Sequence, residues 1–124
     1  MSPANRPVFL HLLQIRLPLT GWVSIAHRIT GVVLFLLLPV PIYLWQRSLE
    51  SESGYQQVQL WLESTLIRML LLLLVWWFFH HLISGLRVLL IDFDKGVSLP
   101  VARLTAALIL VADILFLLGG AWYL

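Results

Sequence analysis

The chain has 124 residues, 60% of them hydrophobic and 11% charged, and a mean hydropathy of +0.94, whereas a soluble domain is roughly 45–50% apolar and roughly 25% charged. Too few polar side chains are present to cover a soluble core, which excludes an ordinary water-soluble fold. A net charge of +2 is too small to point to nucleic acid, and a sequence without cysteine excludes disulfides, thiolate metal sites and cysteine nucleophiles.

A helix crossing the hydrocarbon core needs about 20 mainly apolar residues. Three stretches meet this, so the expected fold is an all-α membrane protein with three transmembrane helices in a single domain, 1–124. An N-terminal segment covers about 1–20 and the helices about 21–46, 64–91 and 103–124. The N-terminus reads neither as a signal peptide nor as an Arg- and Ser-rich transit peptide, and a bacterial inner membrane is the expected location.

Pro18 is placed to start the first helix, with Trp22 at its inner boundary. Pro39 and Pro41 are expected to loosen the last turns of that span and mark its end. The polar segment Gln46 to Glu63 reads as a loop, with Glu50, Glu52 and Glu63 against Arg47. The other connection carries Lys95 and Arg103, with Arg87 just before it, and the N-terminal segment carries Arg6 and Arg16. Basic segments favour the cytoplasm, so the N-terminus and the second loop are expected inside, and the acidic loop and the C-terminus outside. Tyr43, Trp45, Trp61, Trp122 and Tyr123 fit an outer aromatic belt, whereas Trp76 and Trp77 lie deep in the second span and read as packing bulk.

Ionisable residues within spans usually face the bundle interior and carry function. In the first span Ser24, His27, Arg28 and Gly31 share one helical face, and Arg28 lies roughly 12 Å from the start of the helix at 1.5 Å per residue. A buried guanidinium there needs an anion or a strong acceptor. In the second span His80 and His81 point about 100° apart and cannot face the same partner. His81 is expected to share its face with Ser84, Gly85 and Val88, where small residues would let a flat group approach. His80, with Ser84 and Arg87, reads as structural. His81 sits roughly 16 Å from the inner end of its helix, a depth close to that of Arg28, so the two groups are expected to line one chamber. A membrane histidine can bond a neighbouring helix, relay protons or ligate haem iron, and spacing alone leaves these open. His11 reads as a surface residue. Asp113 in the third span, on a stripe with Ala106 and Gly120, is expected to hydrogen-bond structurally or to pair with a cation, Arg68 or Arg28.

Two motifs resemble the cytochrome b membrane-anchor subunits of succinate dehydrogenase. The first is Arg6-Pro7-Val8 followed by S-x-x-H-R-x-T-G at Ser24, His27, Arg28, Thr30 and Gly31. The second is H-x-x-x-G-x-R-x-x-x-x-D at His81, Gly85, Arg87 and Asp92. The resemblance spans the whole chain. It implies a heterotetramer of flavoprotein, iron–sulfur subunit and two hydrophobic anchors, with one haem b shared between this chain and its sister anchor. It further implies His81 as one axial ligand of the haem iron, and a ubiquinone site on the inner side with Ser24 and Arg28 in its wall. His27 and Arg28 would face a haem propionate or the quinone. Val88 departs from the family pattern, where histidine is frequent, as does Asp94, where glycine is usual; Asp113 lies outside the pattern. The competing readings are a quinol:fumarate reductase anchor, a cofactor-free membrane assembly subunit, and a small ion-conducting subunit using Asp113 and His81.

Overall fold

The computed structural model describes residues 16–123, all helical apart from short connections. The Arg6-Pro7-Val8 element, His11 and Leu124 lie outside the described residues. The elements are α1 (Leu19–Leu37), α2 (Pro39–Glu50), α3 (Glu52–Glu63), α4 (Thr65–Asp92) and α5 (Leu99–Trp122). Among the described residues three lengths are long and apolar enough to cross a membrane: Leu19–Glu50, Thr65–Asp92 and Leu99–Trp122. Helices α1, α4 and α5 pack on one another in a three-helix bundle, while α2 and α3 form a hairpin set against the end of α4.

Pro18 stands at the N-cap of α1, and its carbonyl accepts from the amides of Gly21 and Trp22 at 2.8 and 3.2 Å. Pro39 and Pro41 do not end the helical path. Leu38 keeps right-handed helical dihedrals, so the missing proline amides divide α1 from α2 without stopping it. The segment Gln46 to Glu63 is likewise not a loop. Its polarity belongs to an amphipathic hairpin, turned at Ser51, whose Oγ accepts the Gly54 amide at 3.0 Å and caps α3. Arg47 crosses the hairpin to Gln57 Oε1 at 3.1 Å and also bonds Glu50 at 2.8 Å. A Cβ at Gly54 would run into the Arg47 carbonyl, so the two helices touch there through backbone.

Helix α4 ends in a doubly bonded turn: the Lys95 amide donates to the Leu90 carbonyl and the Asp94 amide to the Ile91 carbonyl, each at 2.9 Å. Asp94 occupies the left-handed position of that motif, φ 56°. Glycine suits this position best, and aspartate is among the residues that tolerate it.

The bundle buries little of its apolar surface. In α4 the buried residues are His80 and Ser84, and in α5 they are Ala106, Ile109 and Asp113. Leucines, phenylalanines and valines of all three long helices face outward, as they would toward lipid or other subunits.

Candidate functional site at the crossing of α1 and α4

Where α1 crosses α4, two histidines and two glycines interlock. The His81 ring from α4 lies over Gly31 of α1, where an added Cβ would stand 2.9 Å from His81 Cε1. The His27 ring from α1 lies over Gly85 of α4, where an added Cβ would stand 3.3 Å from His27 Nε2. The two rings stack, centroids 4.2 Å apart and planes 14° from parallel. Small residues let helix backbones approach closely in a membrane, and here each gap receives the imidazole of the other helix.

The hydrogen bonds fix the state of one ring. His81 Nδ1 lies 3.0 Å from the backbone carbonyl oxygen of His27. A carbonyl only accepts, so Nδ1 is the donor in this contact, and the neutral tautomer compatible with it presents Nε2 as a lone pair. The same carbonyl accepts from Thr30 Oγ1 at 3.0 Å, which holds the buried threonine beneath the ring.

His81 borders two grooves on the outer face of this crossing. One, of ≈ 480 Å³, also has His27, Arg28 and Gly31 in its wall, closed by Val32, Phe35 and Leu36. The other, of ≈ 460 Å³, continues along the apolar seam past Leu34, Leu38, Val75 and Phe78. Arg28 is exposed on its helix and makes no ion pair among the described residues. Ser24 lies one turn earlier on α1, half-buried, and is not among the residues lining either groove. The crossing thus brings His27, Arg28, Gly31 and His81 together and leaves Ser24 beside them.

Residues 2–120 match the family described as succinate dehydrogenase/fumarate reductase transmembrane subunit. Over 121 residues the chain is 36% identical to the succinate dehydrogenase cytochrome b556 subunit of Coxiella burnetii (strain RSA 493 / Nine Mile phase I), a match covering 96% of this chain and 97% of that relative. The chain belongs to this family of transmembrane subunits. It is therefore a membrane subunit of an oxidoreductase complex that contains other subunits.

In this family member a second polar cluster lies on the opposite side of α4. His80 is buried against α5 with Nδ1 2.6 Å from Asp113 Oδ2, and Ser84 Oγ lies 3.3 Å from His80 Nε2. Trp76 Nε1 donates to the Asp113 carbonyl at 3.1 Å. Two expectations are corrected here. The partner of Asp113 is His80, not Arg68 or Arg28; Arg68 instead donates to the Leu62 carbonyl at 2.9 Å near the start of α4. Ser84 sides with His80 and not with His81, because α4 turns its 76-80-84 row toward α5. Arg87 follows that row, donating to Thr105 Oγ1 at 3.0 Å and to the Ala102 carbonyl at 3.3 Å. Val88 is exposed. The link between His80 and Asp113 had a readable signal: they are ionisable residues deep in adjacent spans, neither with an oppositely charged residue within a turn on its own helix.

The glycine under His81 gives a direct test of the crossing. Gly31→Ala places a methyl group 2.9 Å from His81 Cε1, so the ring or the helix must move. Overpacking of this kind costs about 1–3 kcal/mol. The thermal midpoint of the isolated complex is expected to fall, while Gly119→Ala, at a position with open space around it, leaves the midpoint unchanged.

Proposed function

We propose that this chain is an anchor of succinate dehydrogenase that supplies one axial ligand to a b-type haem, His81 through Nε2, and helps to form the ubiquinone-reduction site with Ser24 and Arg28. The observation that carries the reading is the 3.0 Å contact between His81 Nδ1 and the His27 carbonyl, which assigns the proton to Nδ1 and would leave Nε2 to bind a metal at the rim of two grooves. Ligating histidines typically donate their other ring N–H to such an acceptor, which fixes the ring and raises the basicity of the ligating nitrogen. The relative's name, a cytochrome b556 subunit, agrees with a haem.

The donor set suits haem better than a bare ion. Among the described residues no group of three or more His, Cys, Asp or Glu could hold a metal ion. A porphyrin already supplies four nitrogens, so His81 and one residue of a sister anchor would suffice to hold it. When bound, the haem would supply a one-electron carrier with both axial positions filled. His81 would hold and orient that group. His27, stacked on His81, and Arg28 are the groups placed to meet a propionate or the quinone. Arg28 offers fixed positive charge where a quinone oxygen gains negative charge, and charge acts most strongly in a site of low dielectric. The Ser24 hydroxyl can donate a hydrogen bond to a quinone carbonyl.

The remaining chains of the complex would be a flavoprotein, an iron–sulfur subunit and a second hydrophobic anchor. The excess of basic residues supports a cytoplasmic position for the start of α1 and the turn between α4 and α5 in a bacterial inner membrane, which would leave the α2–α3 hairpin outside. Purification of the intact complex and a reduced-minus-oxidised spectrum test the reading. A b-type band in stoichiometric amount is expected; a colourless complex that still oxidises succinate would refute the haem assignment.

A further inference from the structure

The cluster of His80, Ser84 and Asp113 takes no part in the site just described, yet it is the most deeply buried polar group among the described residues. His80 is 5% exposed, Ser84 1% and Asp113 3%. We infer that Asp113, by gripping His80, sets the rotation of α4 about its own axis and thereby aims His81 at α1. Asp113 is in this sense a positioning residue for the haem ligand, and the inference rests on the reading of His81 as that ligand.

The physical reason lies in what lipid does not provide. In water, an apolar stripe fixes the rotation of a helix because the other faces must be wet. In a bilayer all faces can be apolar, and helix packing is specified by small residues and interhelical hydrogen bonds. Helix α4 shows this condition: its two buried residues, His80 and Ser84, are both polar. Its outward leucines and phenylalanines would sit as well in lipid after a rotation. Beside the interlocked crossing with α1, what resists rotation is the row facing α5. Trp76 and His80 hold the backbone carbonyl and the carboxylate of the same residue, Asp113, from consecutive turns of α4. One turn before Trp76, Leu72 fills the gap at Gly120, so closely that a Cβ there would collide with it.

His81 is the next residue after His80, about 100° around the helix. The azimuth of one therefore determines that of the other. A rotation of α4 by about 20° moves side-chain atoms at a radius of about 5–6 Å by about 2 Å. Metal–ligand distances tolerate about 0.2 Å. A small loss of register against α5 would thus detach or tilt the imidazole on the α1 side. A hydrogen bond of 2.6 Å between buried groups resists the loss of such a register, because losing one partner leaves the other buried and unpaired.

The test compares variants in the assembled, purified complex. Asp113→Leu alone strands His80 and can block assembly. The main variant is therefore the double change His80→Phe with Asp113→Leu, which removes the pair and keeps the volume; Ser84 Oγ, which loses His80 Nε2, can turn to the backbone carbonyl one turn back on α4. Two signals are read: the low-spin ferric haem resonance, which senses the orientation of the axial imidazole, and the rate at which haem passes to apomyoglobin. The double variant is expected to assemble with a shifted or split resonance and to lose haem several-fold faster. Asp113→Asn, which can still accept from His80 Nδ1, is expected to restore both signals nearly to normal. Thr105→Ala weakens the same seam through Arg87 without touching Asp113, and is expected to leave both unchanged. A double variant with the native resonance and native haem retention would overturn the inference, as would a Thr105→Ala variant perturbed equally. Should His81→Ala keep its haem signal, the ligand assignment itself fails; should His81→Ala lose haem while the double variant behaves as native, only the clamp fails.

Discussion

His81→Ala is expected to give an assembled complex without its b-type absorbance. The helix that carries His81 is held on its other side by the contacts of Trp76, His80 and Arg87 with α5, none of which involves this ring. Truncation removes one hydrogen bond to the His27 carbonyl, worth about 1 kcal/mol, and the stack on His27. Such a loss is small beside the packing of three long helices, so assembly should survive while the iron loses an axial bond. The vacated space lies over Gly31, where no side chain competes for it. Imidazole added to the medium is accordingly expected to enter and recover part of the absorbance. A native spectrum in His81→Ala would reject the assignment.

The second large effect is expected at Arg28. Arg28→Ala should slow ubiquinone reduction by roughly a hundredfold, the scale seen when one preorganised group facing developing charge is removed. Succinate oxidation measured with a soluble dye should not change, because that step belongs to another chain of the proposed complex. Arg28→Lys should fall between the two: it keeps the charge but loses the planar fork that can bond two acceptors at once. The exposed position of Arg28 beside His27 and His81 motivates the split. Were both rates to fall together in Arg28→Ala, the guanidinium would be a structural element of the anchor and not part of the quinone site.

Much of the site was legible before any coordinates. The S-x-x-H-R-x-T-G and H-x-x-x-G-x-R runs single out His27, Arg28, Gly31, His81 and Gly85, and these are the residues that meet where α1 crosses α4. Helical periodicity grouped them on shared faces and similar depths suggested one chamber; the expectation of a buried Arg28 is corrected, since its side chain is exposed. What periodicity missed was the reciprocity of the crossing, each imidazole seated over the other helix's glycine. That depends on which turns of the two helices come level, and no local pattern contains it. The same limit explains the allegiance of Ser84. It is three residues from His81 and four from His80, so spacing admitted both, and the turn of α4 toward α5 chose His80.

The hairpin teaches a different point. Between Gln46 and Glu63 the apolar content falls, which read as a loop because membrane spans are recognised by hydropathy. Amphipathic helices satisfy the same composition, and the Ser51 cap with the Arg47–Gln57 contacts stabilises them.

By itself the sequence determined the three apolar lengths, the sparse charges within them and membership in the family, because hydropathy and short motifs are properties of neighbours along the chain. Only the tertiary structure decided that Asp113 pairs with His80, that His81 donates to a carbonyl of α1, and that α4 presents one histidine to each neighbour. These choices depend on the rotation and register of helices whose outer faces are almost uniformly apolar, and a bilayer leaves such variables to be set by a handful of polar contacts across the seams.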